Sequence, residues 1–247
     1  MTVLGIIGGT GAALFPGMEQ AESQRHAGSW GEPSAPVQCW QQQGHRVLFL
    51  PRHGQHGGIP PHLVNYRANV QLLHDLGAEQ IIALNAVGGI GVAPGHLVVP
   101  AQLIDYTWGR AQSYYDSWNG PTEFIEFTEP YDSLVRNSLI KACGDAGVRV
   151  TPGGTYGVTQ GPRLETAAEV DRLDQDGCSI IGMTGMPEAA LARELTLPYA
   201  CLALVVNAAA GRSEANAAGG IHAAIEQHIA ATMSAAGQVV RAYLSNL

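Results

Sequence analysis

Short apolar runs alternate with stretches of helical spacing along most of the chain. The first apolar run covers residues 3–7 and predicts a buried strand, and two later runs joined by a polar turn predict a hairpin. The segments between the runs repeat apolar residues every three or four positions, which is typical of helices. The predicted strands are 3–7, 37–40, 46–50, 80–84, 97–104, 148–159, 179–183 and 199–206, and the predicted helices are 63–76, 131–145, 164–174, 187–195 and 221–244.

This alternation indicates an α/β fold with a largely parallel, buried sheet flanked by helices. The long extended segments 37–50 and 148–159 indicate a mixed and partly barrel-like centre. We find no internal repeat and no long linker, so residues 1–247 are expected to form a single domain. In such folds the loops that follow the strands carry the chemistry.

The composition excludes several classes of protein. Hydrophobic residues make up 46% and charged residues 14%, and no uncharged apolar run reaches 18 residues, which argues against a membrane span. The N-terminus has no basic region before its apolar run, so we expect a first strand, not a signal peptide, and a cytoplasmic protein. The net charge of −8 argues against a nucleic-acid partner but permits a locally basic pocket. The four cysteines lack metal-ligand spacing and are expected to be reduced thiols.

Four predicted strand ends offer donors for a small oxyanion. Glycine-rich loops expose backbone N–H groups, threonine adds a hydroxyl, and arginine presents a fork of donors that suits phosphate, with a neighbouring histidine as a further donor. Each signal is weak alone, but together they predict one anion pocket. The loops are 8–11, 51–54, 85–89 and 182–188, which contain Thr10, Arg52, His53, Ala86 and Thr184.

No metal ion is expected. No acidic cluster near these loops would hold magnesium, so inorganic phosphate is the expected anion. His53, His56 and His62 do not have the spacing of a zinc site. The glycines of residues 8–11 also permit a dinucleotide-binding oxidoreductase, although the GxGxxG spacing is missing.

In this order, the four motifs resemble the trimeric purine nucleoside phosphorylase and methylthioadenosine phosphorylase family. The resemblance runs from Gly5 to about Glu226 and is strongest over residues 49–69, 159–169 and 182–194. It implies cleavage of a nucleoside by phosphate without a metal or organic cofactor. It also implies a homotrimer whose sites borrow a residue from the neighbour. The aromatic segment from Tyr114 to Trp118 is a candidate for that contact.

The resemblance also assigns residues to the site. Thr10, Arg52, His53, Ala86 and Thr184 match family positions around phosphate. The residues expected near the ribose are Asn85, where the methylthioadenosine branch often has Thr, and Met183. Methylthioadenosine enzymes usually carry His three residues after the RHG motif, where this chain has Gly57, so we assign no role to His56.

Two positions predict the base. Glu165, next to Leu164 in a motif like that of purine nucleoside phosphorylases, replaces the Ser of methylthioadenosine enzymes. Asn207 and Ala209 stand where the adenine-specific branch has two Asp residues. A Glu165 carboxylate can accept from N1–H of hypoxanthine or guanine, and an Asn207 amide can donate to O6 or N7. Adenine would leave the carboxylate unpaired, which is costly. Both residues are also expected to stabilise charge on the departing purine.

The 5′ group of the substrate depends on the start of the last helix. In enzymes that act on ordinary nucleosides a His on this helix meets the 5′-hydroxyl, and our alignment places Ile221 there. An apolar lining suits a methylthio group. A shift of one residue would instead bring in His222 and favour a 5′-hydroxyl.

An oxopurine with a methylthio group is S-methyl-5′-thioinosine, the expected substrate. The alternatives are an inosine/guanosine phosphorylase, a methylthioadenosine phosphorylase, the dinucleotide-binding oxidoreductase and a nucleoside-binding protein without activity.

Overall fold

The computed structural model describes residues 1–24, 28–117, 124–212 and 220–247. Eleven strands within these residues form one mixed sheet. They are β1 (Val3–Gly8), β2 (Glu22–Gln24), β3 (Val37–Gln42), β4 (His45–Pro51), β5 (Gln80–Gly89), β6 (Leu97–Val99), β7 (Gln102–Asp105), β8 (Val150–Pro152), β9 (Thr155–Val158), β10 (Cys178–Gly182) and β11 (Tyr199–Ala208).

Five α-helices lie in the described parts of the chain, together with three short 3-10 turns. The helices are α1 (Tyr66–Asp75), α2 (Ser133–Asp145), α3 (Ala167–Gln175), α4 (Glu188–Glu194) and α5 (Gly220–Ser245). The predicted α/β class with a mixed sheet flanked by helices is therefore confirmed.

Strand β5 is the centre of the sheet. It pairs in parallel with β1 on one side and with β11 on the other. After β1 ends at Gly8, the last residues of β5 pair on that side with antiparallel β10, with Gly88 opposite Ile181. The sheet therefore branches at this point, and the loops that follow β1, β4 and β10 meet at the branch.

Strand β11 shows why the apolar runs are nearly continuous. Successive side chains of a strand point to opposite faces. Cys201 and Ala203 pack in the cluster that includes α1 and α4, whereas Leu202 and Leu204 pack in the cluster that includes α2 and α5. Because helices cover both faces, every position from Tyr199 to Asn207 is buried.

Five predicted segments differ from the structure. Residues 85–89, which the sequence predicts as a loop after strand 80–84, continue β5 because they pair with β11 and, at their end, with β10. Residues 97–104 form two strands, because β6 pairs with β11 and β7 pairs with β9. Residues 148–159 also form two strands, since Gly153 and Gly154 both adopt positive φ and turn the chain. Helix α1 begins only at Tyr66, where Asn65 accepts from the Ala68 N–H, and α3 begins after Thr166 and its capping box. No helix of the described residues is long and apolar enough to span a membrane.

Candidate active site

A cavity opens where the sheet branches. Its walls come from the loop after β1, the second half of β5, the loop before α3, the end of β10, the end of β11 and the start of α5. The lining residues are Gly9, Thr10, His53, Pro61, Ala86, Val87, Gly88, Leu164, Glu165, Ile181, Gly182, Met183, Thr184, Val206, Asn207, Ala209, Ala210, Ile221 and Ile225.

Most of the residues expected from the sequence meet in this one cavity. The exceptions are Arg52 and Asn85, which are fully buried behind the lining. The nine predicted residues that line it are Thr10, His53, Ala86, Leu164, Glu165, Met183, Thr184, Asn207 and Ile221.

Arg52 is held by protein groups. Its Nε donates to Glu188 at 2.7 Å and its Nη2 to the other carboxylate oxygen at 2.8 Å, while Nη1 donates to the Leu84 carbonyl at 3.1 Å. Burial alone would lower the pKa of Arg52, but the Glu188 carboxylate outweighs this effect and raises the pKa above its ordinary value. A Cβ on Gly9 would lie 2.9 Å from Nη1, so the guanidinium lies directly beneath the first loop. A direct contact between Arg52 and phosphate remains a prediction.

Asn85 acts on the cavity through Thr184. Its amide nitrogen donates to the Thr184 hydroxyl at 2.8 Å, and the Cys201 thiol donates to its amide oxygen at 3.4 Å. A hydroxyl has one hydrogen and two lone pairs. Because Asn85 occupies a lone pair of Thr184, the hydrogen of Thr184 stays available to an anion in the cavity.

His53 has its tautomer set by the backbone. Its Nδ1 lies 2.8 Å from the Ile59 carbonyl, which can only accept, so Nδ1 carries the hydrogen. Burial lowers the pKa of His53, and the charge of Arg52 lowers it further. In the neutral ring Nε2 is an acceptor, so His53 offers phosphate a lone pair instead of the donor expected from the sequence. A protonated phosphate oxygen can donate to it.

Glu165 is oriented by a residue that the sequence analysis did not identify. The Thr159 hydroxyl donates to one Glu165 carboxylate oxygen at 2.6 Å, and the backbone N–H of Thr159 donates to the Gly182 carbonyl at 2.8 Å. This contact fixes one carboxylate oxygen and leaves the other for a ligand in the cavity.

Asn207 is buried at the end of β11. Its amide nitrogen donates to the Ala208 carbonyl at 2.8 Å. A primary amide has two N–H groups and an accepting oxygen. One N–H and the oxygen therefore remain for a base, which is enough for the expected contact with O6 or N7.

The start of α5 turns an apolar face to the cavity. Ile221 and, one turn later, Ile225 are among the lining residues. His222 is exposed and does not line the cavity. His56 is likewise exposed and outside the lining. Trp118, part of the proposed neighbour contact, lies outside the described residues.

No group of three or more His, Cys, Asp or Glu residues in the described parts of the chain is placed to hold a metal ion. The cavity is lined instead by hydroxyls, glycines, one imidazole, one carboxylate, one amide and apolar side chains. Such a set suits a neutral base and a small anion, with an apolar group at one end.

The family model described as the phosphorylase superfamily matches residues 4–245. The chain belongs to the phosphorylase superfamily. This membership excludes the dinucleotide-binding oxidoreductase considered for residues 8–11.

Curated members of the superfamily resemble the chain over most of their length. The probable S-methyl-5′-thioinosine phosphorylase of Xanthomonas campestris pv. campestris is 48% identical over 86% of this chain and 86% of its own. The 6-oxopurine nucleoside phosphorylase of Pyrococcus furiosus is 42% identical over 86% of this chain and 82% of its own.

A solved superfamily structure has the same fold. Methylthioadenosine phosphorylase from Schistosoma mansoni in complex with adenine superposes with a TM-score of 0.91 at 28% identity. The similarity covers 100% of this chain and 92% of the other.

Proposed function

We propose that the protein cleaves S-methyl-5′-thioinosine with inorganic phosphate, giving hypoxanthine and 5-methylthioribose 1-phosphate. The observation that carries the proposal is the set of groups that line one cavity. Anion donors, the Glu165–Asn207 pair and the apolar start of α5 all line it. The relatives named as thioinosine phosphorylases support the same substrate.

The phosphate is bound by the loops after β1 and β10, which carry Gly9, Thr10 and Thr184, and by Ala86 in β5. Hydroxyls and backbone N–H groups that converge on one cavity bind an anion without a positively charged side chain in direct contact. The Thr184 hydrogen is free to donate because Asn85 donates to its oxygen. No organic cofactor or metal ion is needed for this binding.

Glu165 and Asn207 bind the base. Hypoxanthine presents a donor at N1 and acceptors at O6 and N7, which match the free Glu165 oxygen and the free Asn207 N–H. Adenine has a lone pair at N1 in place of the N1–H donor, so a carboxylate oxygen opposite N1 would face a second acceptor and lose its hydrogen bond. A polar site of this kind rejects the wrong partner by about 10⁴-fold.

Met183, Ile221 and Ile225 bind the sugar end. Met183 lies next to Thr184 and faces the ribose, and the two isoleucines cover the methylthio group. Burying a thioether against apolar side chains leaves no polar group unpaired, whereas a 5′-hydroxyl would lose its hydrogen bonds there.

The reaction is a displacement at C1′. The bond between C1′ and the purine nitrogen breaks while a phosphate oxygen bonds to C1′, and the proton of hydrogen phosphate ends on the purine. Asn207 and Glu165 stabilise the charge that develops on the base. The phosphate loops supply orientation, and the phosphate itself balances the positive charge on the ribose.

The test is release of free base from the purified protein with phosphate and, separately, methylthioinosine, inosine and methylthioadenosine. We expect phosphate-dependent hypoxanthine release that is fastest from methylthioinosine. Adenine as the main product would contradict the roles of Glu165 and Asn207. Full turnover of methylthioinosine by an Asn207→Ala variant would remove Asn207 from the mechanism.

A general 6-oxopurine nucleoside phosphorylase is the second candidate, favoured by the archaeal relative that carries this name. Equal rates with inosine and methylthioinosine would establish it in place of the first. Both candidate functions use the same base and phosphate sites. They differ only in the 5′ group that Ile221 and Ile225 would contact.

We also propose that the protein is a cytoplasmic homotrimer. Trp108 is 71% exposed and Leu164 is 41% exposed near the cavity, an arrangement that suits cover by a neighbouring copy. The four free, buried cysteines suit a reducing compartment. A monomeric mass in analytical ultracentrifugation would contradict the trimer.

A further inference from the structure

Arg110 lies in the segment between β7 and α2, outside the cavity lining, and its guanidinium makes an unusual number of contacts. Nη1 donates to the carbonyls of Met183 at 2.8 Å and Met186 at 2.6 Å. Nη2 donates to the carbonyls of Gln160 at 2.8 Å and Thr159 at 3.3 Å. Nε donates to the Gln160 side chain at 3.2 Å.

These acceptors belong to two segments that carry cavity residues, although of the four carbonyl-bearing residues only Met183 itself lines the cavity. The carbonyls of Met183 and Met186 flank Thr184, which belongs to the phosphate side. The Thr159 carbonyl belongs to the residue whose hydroxyl donates to Glu165 on the base side. One guanidinium therefore fixes both segments relative to each other.

A third wall is reached through an aromatic residue. Arg110 Nη1 lies 3.3 Å from the Tyr66 hydroxyl, and its guanidinium carbon lies 5.5 Å from the centre of the Tyr66 ring. The Tyr66 hydroxyl donates to the carbonyl of Pro61, which lines the cavity. The Pro61 wall is thus tied to the other two by the same side chain.

We propose that Arg110 is a positioning residue that holds the base-binding and phosphate-binding walls at the separation needed for reaction. The inference rests on the proposed function and adds a residue that does not itself touch the substrate. Phosphate must approach C1′ while the purine stays on Glu165 and Asn207. A displacement of one wall by about 1 Å costs about 100-fold in rate.

Only arginine can do this with one side chain. A guanidinium is always charged and presents five donors in a rigid plane, whereas a lysine ammonium is a compact charge with three. Removal of the guanidinium would leave the four carbonyls without this partner.

The test compares Arg110→Ala with Arg136→Ala. Arg136 is also half-buried and donates to a backbone carbonyl, that of Pro100 at 2.9 Å, away from the cavity. We expect Arg110→Ala to lower kcat/KM for methylthioinosine by about 100-fold and to weaken binding of both hypoxanthine and phosphate in calorimetry. We expect Arg136→Ala to leave these quantities unchanged.

Chemical rescue separates positioning from general destabilisation. Millimolar guanidinium chloride should restore part of the activity of Arg110→Ala, while sodium chloride at equal ionic strength should not. Wild-type kcat/KM and binding in Arg110→Ala, or an equal loss in Arg136→Ala, would overturn the proposal, as would a loss that guanidinium does not reverse.

Two further outcomes are distinguishable. If Arg110→Ala does not fold, Arg110→Lys carries the test, with raised KM for phosphate and nucleoside expected and wild-type constants overturning the proposal. If the wild-type protein releases no base, the proposed function fails, whereas weaker phosphate binding by the Arg110 variants would still support the role of Arg110.

Discussion

The buried Arg52–Glu188 pair gives the most direct test of the structure. Both side chains have no exposed surface and are joined by hydrogen bonds of 2.7 and 2.8 Å, and Tyr199 donates to the same carboxylate at 2.9 Å. Removing one partner of a buried pair costs about 3–5 kcal/mol, and a buried hydroxyl without its acceptor costs about 1–3 kcal/mol. A whole domain has only about 5–15 kcal/mol of stability, so Glu188→Ala should hardly fold.

Glu188→Gln is therefore the informative variant. It keeps an oxygen for Arg52 but removes the balancing charge, so the free energy of unfolding should fall by about 3 kcal/mol. Urea unfolding followed by circular dichroism measures this loss. Asp171→Asn is the control, because its 2.6 Å contact with Arg212 lies at the surface and should contribute less than about 1 kcal/mol.

A double variant tests whether the loss of stability in Glu188→Gln comes from an unbalanced buried charge. In Arg52→Met/Glu188→Leu no charge stays buried alone, so the double variant should be more stable than Glu188→Gln. A loss below about 1 kcal/mol in Glu188→Gln, similar to the surface control, would refute the buried pair.

Three further predictions concern single contacts. Thr159→Val removes the hydrogen bond to Glu165, so kcat/KM for methylthioinosine should fall roughly 10- to 100-fold while Thr159→Ser stays near wild type; equal rates in both variants would contradict this. Burial holds the pKa of His53 below its ordinary value of 6.5. As the pH falls through this range, the unfolded chain therefore binds more protons than the folded protein, which destabilises the fold. The free energy of unfolding should therefore fall from pH 7.5 to 5.5 more steeply in the wild type than in His53→Asn, as measured in urea; parallel slopes would exclude the effect. Ile221→Ser should reduce the preference for methylthioinosine over inosine by about 10-fold or more, whereas exposed His222→Ala should not change it.

The sequence identified the loops of the site because local signals mark them. Apolar runs end at Gly8, Pro51 and Gly182. Strands β1 and β4 are parallel, so the groups that follow them meet at one edge of the sheet, whereas β10 is antiparallel to β5 and this rule does not place its loop. The register of the last helix could not be decided from sequence, because Ile221 and His222 are adjacent. Only the packed helix determines which of the two faces the cavity.

The partners of buried groups had no signal in the sequence. Arg52 and Glu188 are 136 residues apart, and their pairing depends on the packing of α4 against the sheet. Arg110 was equally invisible, since its main acceptors are backbone carbonyls that any residue carries. Long-range contacts of this kind require the structure.

The Arg52–Glu188 pair also affects how an acidic chain binds phosphate and then stabilises the positively charged ribose. The chain has a net charge of −8, and the Glu188 carboxylate balances Arg52 beneath Gly9. Positive charge develops on the ribose as the bond to the base breaks, and an unbalanced guanidinium nearby would oppose that charge. Neutral hydroxyl and N–H donors bind phosphate without this repulsion of the positive ribose. Glu188→Gln should therefore bind phosphate at least as tightly as the wild type but turn over more slowly, and an unchanged kcat with tighter phosphate binding would show that the charge of Arg52 does not reach the transition state.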